Sequence, residues 1–303
     1  MSSKPDGQPK VSPLVYAVTV NWNRADDTLD CLTSLSDSTY DNLKILVVDN
    51  GSSDGSPEII SREFPTVEQI HNSENLGFAK GYNIGMRHAM EAGADFIFII
   101  NNDATIARDT ITNLFQNSNP KTGILAPLIN YTDFPTLVWS SGGITNSWTL
   151  EKRDPLFDKE DSDDWDPVLT RDFVTGCAML LPRKTLSQVG YFDEDFHMYY
   201  EDMDLCLRVR KSGLEIFVIP GAKAWHKIAR SSGGLDSPNE RYWMARSSVR
   251  YFRKHAHPLQ KPLIFIWRLL SALRTSIRLS GTNRKKALKA YWEGLRDGLM
   301  EKI

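Results

Sequence analysis

Short apolar runs that each end in a polar cluster recur through the first hundred residues, and they constrain the fold more than any other feature of the chain. Most of these runs are rich in Val, Ile and Leu, which is typical of strands buried on both faces of a sheet. The predicted strands are Leu14–Val20, Lys44–Val48, Val67–His71 and Asp95–Ile100, and the predicted helices are Asp26–Ser36, Pro57–Phe64 and Ala79–Ala92. This alternation predicts an α/β fold with a mostly parallel central sheet flanked by helices.

The remainder of the chain has a less regular pattern. Further strands are predicted at Gly123–Leu128, Thr136–Leu150, Phe173–Pro182 and Glu215–Ile219, and helices at Lys184–Val189 and Glu201–Ser212. The acidic segment 151–172 is interpreted as an exposed loop near a site. We interpret residues 1–12 as a disordered leader, residues 13–240 as one domain and residues 241–303 as a C-terminal helical extension.

The formal net charge of −2 hides a strong asymmetry. Residues 241–303 hold 15 of the 36 Lys and Arg but only 3 of the 38 Asp and Glu, so this tail carries +12 and residues 1–240 carry −14. One face of a predicted tail helix is apolar and comprises Leu263, Ile266, Trp267, Leu270, Leu273 and Ile277. Two interpretations stay open: a basic amphipathic surface on an anionic membrane, or helices that pack on the domain with basic outer faces.

Composition and chain pattern exclude several classes of protein. With 41% hydrophobic and 24% charged residues, the chain is neither disordered nor fibrous. Its three cysteines are too few for a disulfide framework or a zinc site. An acidic body would repel a polyanion, so nucleic acid is not expected as a partner. Without a signal-like start or a run of about 18 apolar residues, we expect a cytoplasmic protein, peripheral at the inner face of the cell membrane if the tail binds there. The oligomeric state stays open.

Polar clusters follow three predicted strands, at Asn21–Arg24, Asp49–Asp54 and Asn101–Asp103. Ligands of open α/β sheets bind beyond the carboxyl ends of the strands, where these clusters lie. Asp103 closely follows a buried run, and such a carboxylate suits a divalent cation that neutralises phosphate; ordinary polarity of exposed loops is an equal alternative. The chain lacks the glycine-rich dinucleotide fingerprint, the phosphate loop and the nucleophile elbow, which disfavours the enzymes that use them.

Six motifs in order along the chain resemble those of the family 2 glycosyltransferases, and the rhamnosyltransferase-like branch is the most similar. The motifs are Val20–Asn23, Val47–Ser56, Asn75–Ala79, Asn101–Asp103, Thr175–Met179 and Glu201–Arg208. The resemblance runs from about residue 14 to residue 254 and implies a GT-A fold for residues 13–240. It also implies inverting transfer of a sugar, with rhamnose suggested by the branch, from a dTDP- or UDP-sugar to a glycan or lipid-linked acceptor in cell-surface polysaccharide synthesis.

Two other functions remain open at this point. A sugar-phosphate nucleotidyltransferase would need a Gly-rich basic loop after the first strand, of which Asn21–Arg24 is a poor version. A catalytically silent nucleotide-sugar-binding protein is suggested by Asn101, which stands where the family's metal motif has its first aspartate.

The resemblance also implies roles for individual residues. It assigns Asp103, Asn101 and His226 to a Mg²⁺ or Mn²⁺ ion, and the nucleotide to Asn23, Asp49, Asn75, Lys80 and Asn102.

The last assignments concern the reacting sugars. An inverting transfer needs a carboxylate to take the proton of the acceptor hydroxyl, and the resemblance favours Asp202, with Glu201 beside it contacting acceptor or donor sugar. Capping of the helix N-terminus is the alternative reason for these acidic residues. Gly176 is expected against the sugar, and Arg230, in a flexible basic segment, against the diphosphate.

Overall fold

The computed structural model describes residues 12–227, 236–282 and 284–301. The strands of this part of the chain are β1 (Val15–Asn21), β2 (Leu43–Asp49), β3 (Glu68–His71), β4 (Phe96–Ile100), β5 (Ala104–Ile106), β6 (Thr122–Tyr131), β7 (Val138–Ser140), β8 (Ile144–Thr145), β9 (Lys152–Arg153), β10 (Leu169–Arg171), β11 (Ala178–Pro182) and β12 (Glu215–His226). The helices are α1 (Ala25–Ser36), α2 (Ser56–Glu63), α3 (Phe78–Glu91), α4 (Thr110–Gln116), α5 (Arg183–Val189), α6 (Glu201–Lys211), α7 (Pro238–His255), α8 (Lys261–Gly281) and α9 (Lys285–Met300).

A ten-stranded sheet forms the centre of the molecule, with the order β10-β12-β6-β11-β4-β1-β2-β3 and with β5 and β7 attached to β12 and β6. The β3-β2-β1-β4 half is parallel, β11 is antiparallel to β4 and β6, and β12 is parallel to β6. The predicted α/β fold, with a mostly parallel sheet, flanking helices and a helical C-terminal part, is therefore confirmed.

Alternating side chains of the strands bury two separate cores. Tyr16 and Val18 of β1 pack with α3 and α6 on one face, whereas Val15 and Ala17 pack with α1 and α4 on the other. Continuous apolar runs arise because both faces are covered. Helix α3 approaches β1 so closely that a Cβ on Gly85 would lie 2.3 Å from Val18 Cγ1.

Two predicted strands differ from the observed ones. The segment Thr136–Leu150 is predicted as strand broken at Ser140–Gly143, and the structure has that break, because Gly142 adopts a φ of +65° and separates the short strands β7 and β8. No strand of the described chain covers residues 146–150. The strand predicted at Glu215–Ile219 extends to His226 in the structure. Its pairing with β6 is irregular between Ile219 and Lys223, and the strand pairs with β6 both before and after this point. His226 therefore ends a rigid strand.

The structure gives contacts near both predicted domain boundaries, at residue 12 and at residue 240. Residues 1–11 lie outside the described part of the chain, and the Ser12 carbonyl accepts a hydrogen bond from Asn42 Nδ2 at 2.7 Å. In the C-terminal part, α7 and α9 pack so tightly that a Cβ on Gly294 would lie 2.3 Å from the Tyr242 carbonyl oxygen. The division at residue 240 stays a prediction.

Candidate active site

An open cleft lies beyond the carboxyl ends of β1 and β4 and consists of two adjoining hollows. The β1 hollow includes Trp22, Asn75 and Trp243 in its lining, and the α6 hollow includes Lys152 and Tyr200. The two hollows share four lining residues, which are Phe78, Asn101, Asp103 and Met198. One ligand made of two parts could therefore place one part in each hollow.

Most of the predicted site residues meet in this cleft. Those that line it are Asn75, Asn101, Asn102, Asp103, Gly176, Glu201, Asp202 and His226. Among the described residues, Asn23, Asp49 and Lys80 do not belong to the lining of either hollow. Arg230 lies outside the described residues.

Asp49 and Asn23 hold the loops that border the β1 hollow. The buried Asp49 carboxylate accepts hydrogen bonds from Asn21 Nδ2 at 2.9 Å and from the Ser52 backbone N–H at 3.0 Å. Asn23 adopts a φ of +52°, and its side-chain oxygen accepts from the Ser53 N–H at 2.7 Å. Lys80 is exposed on α3. A role for these three residues in nucleotide binding stays a prediction.

Asp103 and His226 form a buried acid–imidazole pair at the boundary of the two hollows. His226 Nε2 lies 3.0 Å from Asp103 Oδ1, and both side chains are at most 7% exposed. The pair is fixed by the backbone, because β5, which begins at Ala104, runs antiparallel to the end of β12. Trp139 covers the imidazole, with ring centroids 4.5 Å apart.

Burial and the contact between the two side chains have opposite effects on the pKa of Asp103 and on the pKa of His226. Burial disfavours the charged imidazolium, but contact with Cys177 and the hydrogen bond to Asp103 raise the pKa of His226 to about 10. Burial likewise disfavours the Asp103 carboxylate, yet the hydrogen bond from His226 holds its pKa below the usual range. Each side chain thus favours the charged form of the other, and an imidazole that ligates a cation here would have to release its proton.

The donor set around Asp103 fits a divalent cation shared with a substrate. Within the described ranges, no group of three or more His, Cys, Asp and Glu side chains is placed to hold a metal alone. One carboxylate and one imidazole lie together, and the Asn101 side-chain oxygen, 3.3 Å from Tyr82 Oη, lines the same space. Mg²⁺ commonly takes one or two carboxylates from the protein and its other ligands from water and substrate phosphates. These residues suit that arrangement.

The acidic start of α6 is aimed into the α6 hollow by a strained turn. Tyr199 and Tyr200, which precede the helix, have φ values of +66° and +68°. Such backbone costs on the order of 1–3 kcal/mol per residue and is concentrated at functional sites. Asp202 is half-buried, and its Oδ2 accepts a hydrogen bond from the Gly176 backbone N–H at 3.0 Å.

Glu201 and Asp202 differ in their surroundings. Glu201 is buried, and among the described residues its Oε2 has no hydrogen-bond partner. Burial, followed by the charge of Asp202, raises the pKa of Glu201 well above its usual range. Glu201 therefore favours the protonated form at neutral pH, which leaves Asp202 as the better placed proton acceptor of the two.

Several lining residues were not predicted from the sequence. His197 stacks on Trp243 with ring centroids 4.2 Å apart, and Lys152 from the acidic segment reaches the α6 hollow. Helix α7 supplies Asn239, Glu240, Trp243 and Met244 to the lining. No motif marks these residues, because they reach the cleft only through long-range packing.

Asp204 links the helix that carries Asp202 to α7. Its carboxylate is completely buried and accepts hydrogen bonds from Arg208 Nε at 2.8 Å, His255 Nε2 at 2.8 Å and Lys254 Nζ at 2.6 Å. The spacing of four residues between Asp204 and Arg208 on one helix allows this pairing. Burial opposes the carboxylate, but these three partners together hold the pKa of Asp204 below its usual range.

We expect Asp204→Asn to lower the free energy of unfolding by about 1.5–3 kcal/mol, because Arg208 and Lys254 lose a charged acceptor. Both cations are partly exposed, and Lys254 keeps Asp193 as a partner. The stabilisation by a carboxylate of lowered pKa is present above the unfolded-state value of about 4 and is lost as pH falls below it. Urea unfolding of both proteins at neutral and acidic pH should thus show a difference that shrinks in acid. Asp30→Asn, which removes an exposed partner of Lys227, should change stability by less than about 1 kcal/mol. Equal stability of Asp204→Asn and the wild type would contradict this account.

Comparisons with known proteins identify the family of this chain. The pattern that defines Glycosyl transferase family 2 matches residues 16–185. The chain is 27% identical to an N-acetylglucosaminyl-diphospho-decaprenol L-rhamnosyltransferase of Mycobacterium tuberculosis over 84% of this chain and 89% of that protein. It is 25% identical to the dTDP-rhamnosyl transferase RfbF of Shigella flexneri over 93% and 95%.

A solved structure is similar in fold. The mannosyltransferase PcManGT of Pyrobaculum calidifontis, in complex with GDP-Man and Mn²⁺, superposes with a TM-score of 0.60 at 19% identity, covering 97% of this chain and 77% of that one. At that identity the likeness concerns the fold alone, and it agrees with the GT-A fold that the motifs implied.

Proposed function

This chain belongs to glycosyl transferase family 2 and is a glycosyltransferase, and from that premise we propose its donor, acceptor and chemistry. The donor is a pyrimidine nucleoside diphosphate sugar, with dTDP-rhamnose first and UDP-sugars second. The acceptor is a glycan or a lipid-linked sugar in the synthesis of a cell-surface polysaccharide. The names of the M. tuberculosis and S. flexneri relatives support rhamnose and a polyprenyl diphosphate carrier.

One observation carries the proposal: a half-buried carboxylate, Asp202, faces the cleft that also holds the buried Asp103–His226 pair. In an inverting transfer, Asp202 takes the proton of the acceptor hydroxyl as its oxygen bonds to the anomeric carbon and the bond to the nucleoside diphosphate breaks. The hydrogen bond from the Gly176 N–H to Oδ2 orients that carboxylate.

The other end of the cleft would hold the leaving group. Asp103 and His226, with Asn101 beside them, would bind Mg²⁺ or Mn²⁺, which supplies positive charge to the departing diphosphate. Asn75 and Asn102 line the β1 hollow and are proposed to contact the nucleotide.

Further contacts are proposed on weaker support. Asn23, Asp49 and Lys80 follow the family motifs and are proposed to contact the nucleotide, although they do not line either hollow. Arg230 would contact the diphosphate from a segment outside the described residues. Glu201 would contact a sugar hydroxyl in its protonated form.

We further propose that the protein works at the inner, cytoplasmic face of the cell membrane. A polyprenyl-linked acceptor stays in the bilayer, so the enzyme must approach that surface to reach it. The +12 charge of residues 241–303 would favour an anionic surface.

A panel of nucleotide sugars tests the reaction. In thermal-shift measurements with and without Mn²⁺, dTDP-rhamnose or a UDP-sugar should raise the unfolding midpoint more than a GDP-sugar, and more with the metal than without it. Transfer to a lipid-linked acceptor should accompany binding. Binding without transfer or donor hydrolysis would identify a silent binding protein, and synthesis of the sugar nucleotide from a sugar phosphate would identify a nucleotidyltransferase.

A further inference from the structure

Helix α8 presents an apolar face away from the rest of the molecule. The side chains that define this α8 face are between 43% and 74% exposed and comprise Leu263, Ile266, Trp267, Leu270, Leu273 and Ile277. The opposite side packs inward through Ile264, Ala272 and Leu279. The helical repeat places the two sets on opposite sides. Exposed apolar patches of this kind mark interaction sites.

The apolar surface continues beyond this one face. Phe265 and Leu269, between the packed and the outward side, are 70% and 48% exposed. Both border an apolar groove between α7, α8 and α9. The exposed arc is therefore wider than the narrow seam by which two helices of a coiled coil meet.

The charges around the α8 face are basic. On the outward side of α8, Arg274 is exposed and no residue of the helix is acidic, and Lys285 and Lys286 follow at the exposed start of α9. Arg268 instead packs inward on Phe252, and Arg278 pairs with Asp236. A wide apolar arc with arginine and lysine at its margins is typical of a helix that lies in the headgroup region of a membrane. None of the helices in the described part of the chain is long and apolar enough to cross a bilayer.

We propose that the α8 face binds an anionic lipid bilayer, with α8 lying along the surface. A second copy of this chain is disfavoured as the occupant, because pairing two α8 faces would bring the exposed Arg274, Lys285 and Lys286 of both copies together. Anionic headgroups instead complement that charge while the acyl chains receive the apolar side chains.

The loop of residues 146–152 contacts the region around α8 at one end and reaches the cleft at the other. Gln260, just before α8, donates a hydrogen bond to the Ser147 carbonyl at 2.5 Å, and Arg268 lies 3.5 Å from Glu151. Trp148 in this loop is 62% exposed, and Lys152 lines the α6 hollow. Docking through α8 therefore brings the acceptor side of the cleft near the membrane. Only this last step rests on the proposed lipid-linked acceptor.

Co-sedimentation with vesicles tests the proposal on the full chain. The wild type should bind mixed phosphatidylcholine–phosphatidylglycerol vesicles and bind pure phosphatidylcholine weakly. The double variant Ile266→Asp/Leu270→Asp should lose more than about tenfold in partitioning, because two inserted side chains become charged. Lys285→Glu/Lys286→Glu should weaken binding to the mixed vesicles alone. Phe134→Asp is the matched control, since Phe134 is 63% exposed but lies outside the tail, and it should bind like the wild type.

Two results would overturn the proposal: vesicle binding unaffected by Ile266→Asp/Leu270→Asp, or light scattering that shows a dimer which this variant converts to a monomer. Circular dichroism would check that the variant folds. Donor hydrolysis in solution gives an independent readout, because the α8 face lies outside the cleft. Loss of vesicle binding with normal hydrolysis supports the docking face, whereas vesicle binding without glycosyl transfer would count against the proposed reaction and leave the docking face intact.

Discussion

Asp202→Asn is expected to lower the turnover of sugar transfer by about 10²–10⁴-fold, the usual contribution of a positioned general base. The amide cannot accept the proton of the acceptor hydroxyl. Asp202 accepts two backbone hydrogen bonds, from the Gly176 N–H to Oδ2 at 3.0 Å and from the Met203 N–H to Oδ1 at 2.7 Å, and an amide can keep only one of them. Circular dichroism should therefore show that the variant folds before its turnover is compared. Steady-state transfer and calorimetric binding of the nucleotide sugar measure the two effects. Donor affinity should stay within about threefold of the wild type, because the donor's diphosphate is expected elsewhere in the cleft.

Glu201→Gln provides the matched control for this variant. Burial raises the pKa of Glu201 well above its usual range and so favours the protonated acid, which the neutral amide closely resembles. We therefore expect a much smaller loss than for Asp202→Asn. If Glu201→Gln abolishes transfer and Asp202→Asn does not, the roles of the two residues are reversed. Normal turnover in both variants would remove the acid–base role from this helix.

The strands of the parallel half could be predicted because their signal is local. The run predicted at Lys44–Val48 lies within β2, and the run at Asp95–Ile100 differs from β4 by one residue. A strand covered on both faces must be apolar at every position, and that pattern stands out from the surrounding helices. Polar residues at the ends of these strands then follow from the topology of the sheet.

Long-range packing explains most of what could not be predicted. Trp243 reaches the cleft only because α7 is tied to α6 through Asp204, a contact between residues distant in sequence. The left-handed backbone at Tyr199 and Tyr200 has no signal either, since tyrosine rarely adopts it. Asp49 differs from these residues, because a sequence motif did mark it. In the structure its carboxylate is buried and forms hydrogen bonds within the neighbouring loops instead of lining the cleft.

The apolar face of α8 shows what a periodic sequence pattern can and cannot predict. The helical spacing correctly predicted which side of α8 is apolar, but the same spacing suits a helix that packs on its domain. Only the structure distinguishes the two, by turning Leu270 and Ile277 outward and Ile264 inward. The periodicity of the sequence therefore predicts which residues share a face, but whether that face is buried or exposed depends on tertiary contacts.

Asp103→Asn should abolish most of the effect of Mn²⁺ on donor binding. Removing this carboxylate takes away the charged ligand of the Asp103–His226 pair, and we expect at least a tenfold loss of metal affinity, since loss of an outer-shell partner alone typically costs about 10–100-fold. Calorimetric titrations of the nucleotide sugar with and without Mn²⁺ measure the ratio of the two affinities in each protein. That ratio, rather than the affinity itself, reports on the metal.

Asn102→Ala is the control for the metal effect, because Asn102 is the chain neighbour of Asp103 and lines the β1 hollow. Its Nδ2 donates a hydrogen bond to Thr28 Oγ1 at 3.0 Å. A nucleotide-contacting role predicts weaker donor binding by the same factor with and without Mn²⁺, so the ratio stays at the wild-type value. Asp103→Asn should instead bring the ratio close to one while metal-free affinity changes little. Because Asp103 is buried, urea unfolding must first show that the variant folds. A folded Asp103→Asn protein that keeps the full Mn²⁺ effect would place the metal elsewhere in the cleft or remove it from the reaction.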